Sequence, residues 1–174
     1  MAATFVVETG TGLADANSFQ SVAGADQYND DHNQDTAWTN ANQATKEKHL
    51  RLATQYLTAT YDLQWKGRRV TYTQKLSWPR YDVWFDDYLQ SYSSMPQQLL
   101  DATSELAIRS NNGTNLLPDI SAANSGDLID DRVVIGPLEF EQKYSSAPQN
   151  YDTFTVVSRM LAPLLSGAYS LTRG

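Results

Sequence analysis

The chain has 174 residues, no cysteine, two histidines and a formal net charge of −7. A domain of this length buries about 70% of the surface that its unfolded chain exposes, so it folds without covalent cross-links. The lack of cysteine excludes disulfides, thiolate zinc sites and cysteine nucleophiles. The negative charge argues against a general nucleic-acid binder, and the absence of a leader pattern or a long apolar run predicts an intracellular protein with no membrane partner.

The N-terminal part predicts a strand followed by a loop and a short helix. The β-branched and aromatic run from Thr4 to Glu8 favours a strand, and the glycines at Gly10 to Gly12 indicate a turn. Ser21 is suited to cap a short helix, which the polar run from Asn29 to Asp35 is expected to end.

The two strongest helical patterns lie in the middle of the chain. Apolar residues recur at three- and four-residue steps from Asn42 to about Asp62, which predicts an amphipathic helix. A second helix is predicted after Ser94, with Pro96 in its opening turn and a stop at Asn111 to Gly113.

The last third predicts a loop, a hairpin and a final helix. Leu116 to Asp131 has turn formers and no sustained period, so it is expected to be a loop. Val133 to Ile135 and Leu138 to Tyr144 are β-prone runs separated by a Gly-Pro pair, which predicts a hairpin. A helix is predicted after Asp152, with a kink or early stop at Pro163.

Together these elements predict an α+β fold, mainly α: a small helical bundle of three to four helices with one β-hairpin and a short N-terminal strand. We expect a single domain over residues 1–174, with an N-terminal strand and loop over 1–20 and a tail over 167–174.

No motif indicates catalysis. The turn at Gly10 to Gly12 lacks the third glycine of a dinucleotide loop, and neither a phosphate loop nor a nucleophile elbow occurs. His49 lies among basic residues and is interpreted as an exposed surface histidine, and the aspartate doublets as solvated loop acids. The sequence therefore predicts a protein that is not an enzyme and has no metal or cofactor.

One segment differs from the rest, and we call Gln64 to Trp84 the basic aromatic segment. It holds five of the thirteen basic residues within fifteen positions that contain no acid, interleaved with large rings. The candidate site residues are Trp65, Lys66, Arg68, Arg69, Lys75, Trp78 and Arg80. Three interpretations stay open: rings that stack on bases at about 1–3 kcal/mol each while cations contact phosphates, anchors of a protein interface or core, and pairing with acids of a neighbouring subunit.

Four stretches carry a resemblance that spans nearly the whole chain: ETGTGLADANSFQSVAGADQY, ATQYLTATYDLQWKGRRVTYTQKLSWPR, MPQQLLDATSELAIR and RMLAPLLSG. Together they resemble the tailed-phage family labelled DnaT-like single-stranded-DNA-binding protein. The order of elements is also similar to that of head-to-tail adaptor, or connector, proteins of the phage neck. These resemblances imply two different functions.

The adaptor resemblance implies a structural virion protein, made in the host cytoplasm and assembled in the neck between portal and tail. It implies a ring of twelve copies that contacts the portal and the next neck or tail protein, while genomic DNA passes through the bore without specific binding. The acidic balance favours this interpretation, because a bore should not hold the duplex. Ring closure needs two different patches on each subunit.

The basic aromatic segment is the first candidate for these patches. The second patch would use acids such as Asp86, Asp87, Asp130 or Glu139. The adaptor analogy makes Tyr169, Leu171 and Arg173 candidates for portal binding, and Val133 to Tyr144 a candidate ring lining or tail contact. The alternative is a replication protein that binds single-stranded DNA through the basic aromatic segment.

Overall fold

The computed structural model of the chain describes residues 4–85, 87–117, 128–134, 139–144 and 154–166, and the ranges 128–134 and 139–144 as backbone only. The α-helices in these ranges are α1 (Val22–Tyr28), α2 (Thr36–Asn40), α3 (Gln43–Tyr61), α4 (Gln97–Asn111) and α5 (Thr155–Leu161). The strands are β1 (Arg68–Arg69), β2 (Arg80–Tyr81), β3 (Trp84–Phe85), β4 (Tyr88–Leu89), β5 (Leu128–Val134) and β6 (Glu139–Tyr144). The predicted class, α+β and mainly α, is confirmed.

Contacts divide the chain into two compact units. The first comprises residues 1–116 and 155–174 and contains all five helices named above together with the short pairs β1–β2 and β3–β4. The second comprises residues 117–154 and contains the antiparallel pair β5–β6. The single domain stays a prediction, and the tail over 167–174 lies outside the described residues.

Helices α3 and α4 pack against each other and form the core of the first unit. The Asn42 side chain caps α3 by accepting a hydrogen bond of 2.9 Å from the Thr45 amide, and Leu57 on its apolar face is fully buried. Leu99 and Leu106 of α4 are fully buried as well. Each such leucine contributes about 1.5–3 kcal/mol, so both predicted helices are confirmed.

The region after α1 differs from the prediction. Ser21 caps α1 as expected, by accepting a hydrogen bond of 3.0 Å from the Gly24 amide. The polar run from Asn29 to Asp35, however, does not end the helical structure. Asn29–Asn33 continues as a π-helix, and α2 follows with Asp35 as its cap, 2.7 Å from the Trp38 amide. Trp38 is fully buried. The polar run predicted the end of helical structure, because the residue types that end one helix also cap the next.

The predicted strand from Thr4 to Glu8 is reduced to one bridge, between Val7 and Ser18. The Asn17 side chain takes part in place of a second strand, because its Oδ1 accepts a bond of 3.0 Å from the Val6 amide. Because the Asn17 side chain accepts the hydrogen bond of this backbone amide, a second strand is not needed to do so, and the bridge does not extend into a longer ladder.

The glycine turn that follows encloses the carboxylate of Glu8, which is almost fully buried. Its Oε1 accepts bonds of 2.9, 2.9 and 3.0 Å from the amides of Gly10, Thr11 and Gly12. Its Oε2 accepts a bond of 2.8 Å from the Leu13 amide. Successive amides of this kind form an anion-binding concavity, and here the anion belongs to the chain itself.

The predicted hairpin is present, with Val133 opposite Phe140 in β5–β6. Its first strand begins at Leu128, so the predicted loop over Leu116 to Asp131 was wrong for residues 128–131. Acidic residues interrupt the apolar alternation at residues 128–131, so the sequence does not show the period of a strand. Pairing with β6 stabilises the strand nevertheless. Residues 118–127 and 135–138 lie outside the described part.

The final helix ends as Pro163 predicts. Helix α5 stops at Leu161 and continues as a 3-10 turn over Ala162–Leu164. The backbone then meets the start of the basic aromatic segment: the Lys66 amide donates to the Leu164 carbonyl at 2.9 Å, and the Ser166 amide to the Gln64 carbonyl at 2.7 Å. No helix in the described part combines the length and apolar character needed to cross a bilayer.

Candidate binding surface

The two tryptophans predicted as site residues lie inside the first unit. Trp65 and Trp78 are buried, with their rings edge to face and their centroids 5.9 Å apart. Tyr61 adds a third ring 5.8 Å from Trp65. These rings stabilise the core, and in this fold they are not accessible for stacking on bases.

Arg80 is also a structural residue. Its guanidinium is nearly buried and donates to three backbone carbonyls: Nε to Lys66 at 2.8 Å, Nη1 to Ser77 at 3.1 Å and Nη2 to Gly67 at 2.8 Å. Burial lowers the pKa of Arg80. The arginine thus fastens the turn after Trp65 to the strand β2, and three of its five N–H donors bind carbonyls of the same chain.

Lys66 is held in a similar way. Its Nζ donates to the carbonyls of Trp84 at 3.1 Å and Pro163 at 2.8 Å. Two of the five cations in the basic aromatic segment therefore bind backbone carbonyls of the same chain.

The other three cations are more exposed. Arg69 forms two bonds with the Asp62 carboxylate, at 2.9 and 3.1 Å, and Arg68 lies 3.3 Å from the Asp82 carboxylate with both side chains well exposed. The Lys75 amide donates to the Leu13 carbonyl at 3.1 Å, but its exposed side chain has no hydrogen bond or ion pair within the described residues. The local charge available to an outside ligand thus comes from Arg68 and Lys75, with a smaller share from Arg69.

An apolar surface follows directly after these cations, on the hairpin β3–β4 and the loop beyond it. The apolar hairpin surface consists of Trp84, Tyr88, Leu89 and Tyr92, which are 54%, 76%, 56% and 50% exposed. Trp84 is paired with Leu89 across the hairpin. Tyr92 contacts Tyr81 with a centroid distance of 4.5 Å, and the Arg68 guanidinium lies 5.9 Å from the Tyr81 ring centroid. A cation therefore borders a group of exposed rings.

The sequence interpretation missed three of these residues, because Tyr88, Leu89 and Tyr92 follow the segment in which the basic residues lie. Their signal is the short ring-rich run WFDDYLQSY, which contains two acids. Of the acids predicted as intersubunit partners, Asp87 is exposed, while the side chains of Asp86, Asp130 and Glu139 lie outside the description. So do the portal candidates Tyr169, Leu171 and Arg173.

A polar cluster buried near α1 and α4 is structural in character. The Glu105 carboxylate accepts bonds from the Tyr28 hydroxyl at 3.2 Å, the Asn33 amide at 2.9 Å and the Arg109 Nε at 2.7 Å. Burial raises the pKa of Glu105, but the bonds from Asn33 and Arg109 outweigh it, so the pKa is lowered overall. Burial raises the pKa of Tyr28, and the neighbouring Glu105 raises it further.

His49 is not the exposed histidine that the sequence predicted. It is half-buried, with Nδ1 2.8 Å from the Ser110 hydroxyl, and burial, followed by the charge of Lys48, lowers its pKa. The basic neighbours in sequence hid this contact between α3 and α4. Among the described residues no group of three or more His, Asp or Glu side chains is placed to hold a metal ion.

Comparison with known proteins identifies a family. A family model described as "Putative DnaT-like ssDNA binding protein" matches residues 3–174. No curated protein and no solved structure matches the chain. The predicted likeness to head-to-tail adaptors receives no support from these comparisons.

Proposed function

Because the chain belongs to the family described as putative DnaT-like ssDNA binding proteins, we propose that it binds single-stranded DNA through the apolar hairpin surface and Arg68. The observation that supports this function is the exposure of Trp84, Tyr88 and Tyr92. Tyr92 contacts Tyr81, the ring beside which Arg68 lies. Stacking on rings is tolerant of sequence, because every base has a flat face. The contact surface therefore differs from the predicted one, whose tryptophans are buried.

The energetics favour binding that depends mainly on stacking. Each stacked base contributes about 1–3 kcal/mol, so Trp84 and Tyr88 together supply about 2–6 kcal/mol. An exposed ion pair contributes only about 0–1 kcal/mol, so Arg68 can exchange the Asp82 carboxylate for a phosphate at little cost. Arg69 is less available, because its two bonds to Asp62 are shorter.

The charge distribution predicts weak salt dependence. Each neutralised phosphate contributes a slope of about −0.7 to the dependence of log K on log salt for single strands. Among the described cations at the border of the apolar hairpin surface, Lys66 is bound to backbone carbonyls and Arg68 is exposed. The net charge of −7 opposes further phosphate contacts. A shallow slope would therefore distinguish this protein from binders that depend on a basic groove.

The test is fluorescence anisotropy with a labelled oligothymidine, comparing the wild-type chain with the double variant Trp84→Ala/Tyr88→Ala. We expect the double variant to bind at least tenfold more weakly, because two stacked bases lose their partners. Leu63→Ala is the matched control, since Leu63 is 97% exposed and apolar but lies outside the surface, and it should bind as the wild type does. Wild-type protein that binds no oligothymidine near physiological salt would refute the proposal.

A second candidate function is a structural subunit of the phage neck, and one observation favours it. Lys66 and Arg80 bind backbone carbonyls, so fewer cations of the basic aromatic segment are available to phosphates. The exposed rings of the apolar hairpin surface are of the kind that anchors protein interfaces. In this alternative the chain is not an enzyme, needs no cofactor and assembles as a twelve-copy ring that contacts the portal and the next neck or tail protein.

Light scattering separates the two functions. A ring subunit should form a large particle alone or with portal, and Trp84→Ala/Tyr88→Ala should prevent its formation without any effect on oligonucleotide binding. A chain that stays monomeric with portal, and is absent from virions, would contradict the structural function and its place in the neck.

A further inference from the structure

A separate cavity of about 400 Å³ lies in the first unit, between α3 and the basic aromatic segment. Its lining includes Arg51, Thr54, Thr58 and Ala59 of α3 together with Lys75 and Leu76. Sites for small ligands usually measure about 300–1,000 Å³ and combine apolar walls with a few polar groups. This cavity has both properties, and it shares no residue with the apolar hairpin surface.

The charge of the lining is opposite to that of the chain. The lining contains two cations, Arg51 and Lys75, and no acid, although the chain has twenty acids. Neither cation has an ion pair within the described residues. Lys75 is exposed, while the Arg51 guanidinium lies 5.8 Å from the Phe5 ring centroid. The cavity therefore favours an anion.

Two polar atoms of the same lining residues are buried and lack hydrogen-bond partners among the described residues: Arg51 Nη1 and Thr58 Oγ1. An unsatisfied buried polar group destabilises a fold, and most such groups in folded proteins have a partner. A polar ligand in this cavity would supply the partners that these two atoms lack.

We propose that this cavity binds a nucleoside phosphomonoester. Such a phosphate carries a charge of about −1.5 to −2 near pH 7, which matches two cations better than a carboxylate or a phosphodiester does. Arginine offers phosphate a planar fork of donors and lysine a point charge. The side chains of Leu76 and Ala59 supply an apolar wall for the base, and Gln55 adds an amide beside it.

Calorimetric titration tests this proposal with thymidine 5′-monophosphate, thymidine and inorganic phosphate. We expect the monophosphate to bind with a millimolar or lower Kd, and thymidine and phosphate each at least tenfold more weakly. Lys75→Ala and Thr58→Val should each weaken binding of the monophosphate severalfold. Lys48→Ala is the matched control, because Lys48 is an exposed lysine of α3 outside the cavity, and it should leave binding unchanged.

Two results would overturn the proposal: a monophosphate that binds no tighter than phosphate, and a Lys75→Ala variant that binds like Lys48→Ala. A 5′-phosphorylated and an unphosphorylated oligothymidine then identify the source of the ligand. Preference for the phosphorylated strand assigns the site to strand ends, and equal binding assigns it to free nucleotides. Trp84→Ala/Tyr88→Ala should leave monophosphate binding intact, so this site and the proposed DNA surface can fail independently.

Discussion

Replacement of Arg80 by alanine should destabilise the protein strongly while leaving the affinity of the folded protein for DNA unchanged. The variant removes one nearly buried guanidinium and the bonds of 2.8, 3.1 and 2.8 Å that it donates to three carbonyls. A hydrogen bond from a charged group contributes about 1.5–3 kcal/mol, and a buried acceptor left unpaired costs about 1–3 kcal/mol. Since these terms are not additive, we expect a loss of about 3–5 kcal/mol in the free energy of unfolding.

Urea denaturation followed by tryptophan fluorescence measures this loss, because the buried Trp65 and Trp78 adjoin Lys66 and Ser77, whose carbonyls Arg80 binds. For a chain of this size, 1 kcal/mol corresponds to about 2–4 °C in Tm, so Tm should fall by about 6 °C or more. Arg68→Ala is the control, because its exposed ion pair contributes about 0–1 kcal/mol. Arg80→Lys should recover less than half of the loss, since an ammonium lacks the planar fork.

The reasoning is refuted if Arg80→Ala unfolds at the same urea concentration as Arg68→Ala. A variant that stays fully stable but loses oligothymidine binding would show instead that the guanidinium acts on nucleic acid, as the sequence alone suggested.

Two further predictions concern a backbone position and a buried carboxylate. Gly67→Ala should lower the Tm more than Gly113→Ala does. Both glycines have a positive φ, +68° and +92°, but an added Cβ at Gly67 would overlap the Tyr81 carbonyl, whereas at Gly113 it meets open space. Equal losses in Tm would contradict this. The lowered pKa of Glu105 means that its contribution to stability is present above its ordinary value of 4.5 and is lost as pH falls through the folded pKa. Glu105→Gln should therefore be less stable at neutral pH and show a flatter decline below pH 4.5 in urea titrations, with Glu47→Gln on α3 as the control; an unchanged acid profile would refute the assignment.

The helices that the sequence predicts well are those whose signals are repeated along the chain. Helix α3 combines a cap at Asn42 with an apolar face that extends over several turns, and local chemistry and burial agree there. Helix α2 was missed because a single turn carries only its cap, Asp35, and one large apolar residue, Trp38. The start of β5 was missed for a related reason, since its pairing partner lies at a distance in the sequence that composition does not reveal.

The candidate site shows more clearly which roles cannot be predicted from the sequence. The sequence identifies where cations and rings are concentrated. Their roles depend on partners that are either far away in the sequence or backbone groups that every residue has. The partners of Arg80 are backbone carbonyls, which every residue possesses, so no pattern of side chains could reveal them. Trp78 and Trp84 have the same chemistry and lie six positions apart, yet one is buried and the other is more than half exposed.

The backbone bonds between Gln64 and Ser166 and between Lys66 and Leu164 join positions about a hundred residues apart. A ribosome adds about 5–20 residues per second, so the basic aromatic segment leaves it several seconds before the residues that complete its fold. During that interval Trp65 and the amide and ammonium groups of Lys66 lack the partners that residues 163–164 later supply, so they are open to water and to other chains. A nascent polypeptide arrested before α5 should therefore recruit chaperones that the finished protein no longer needs.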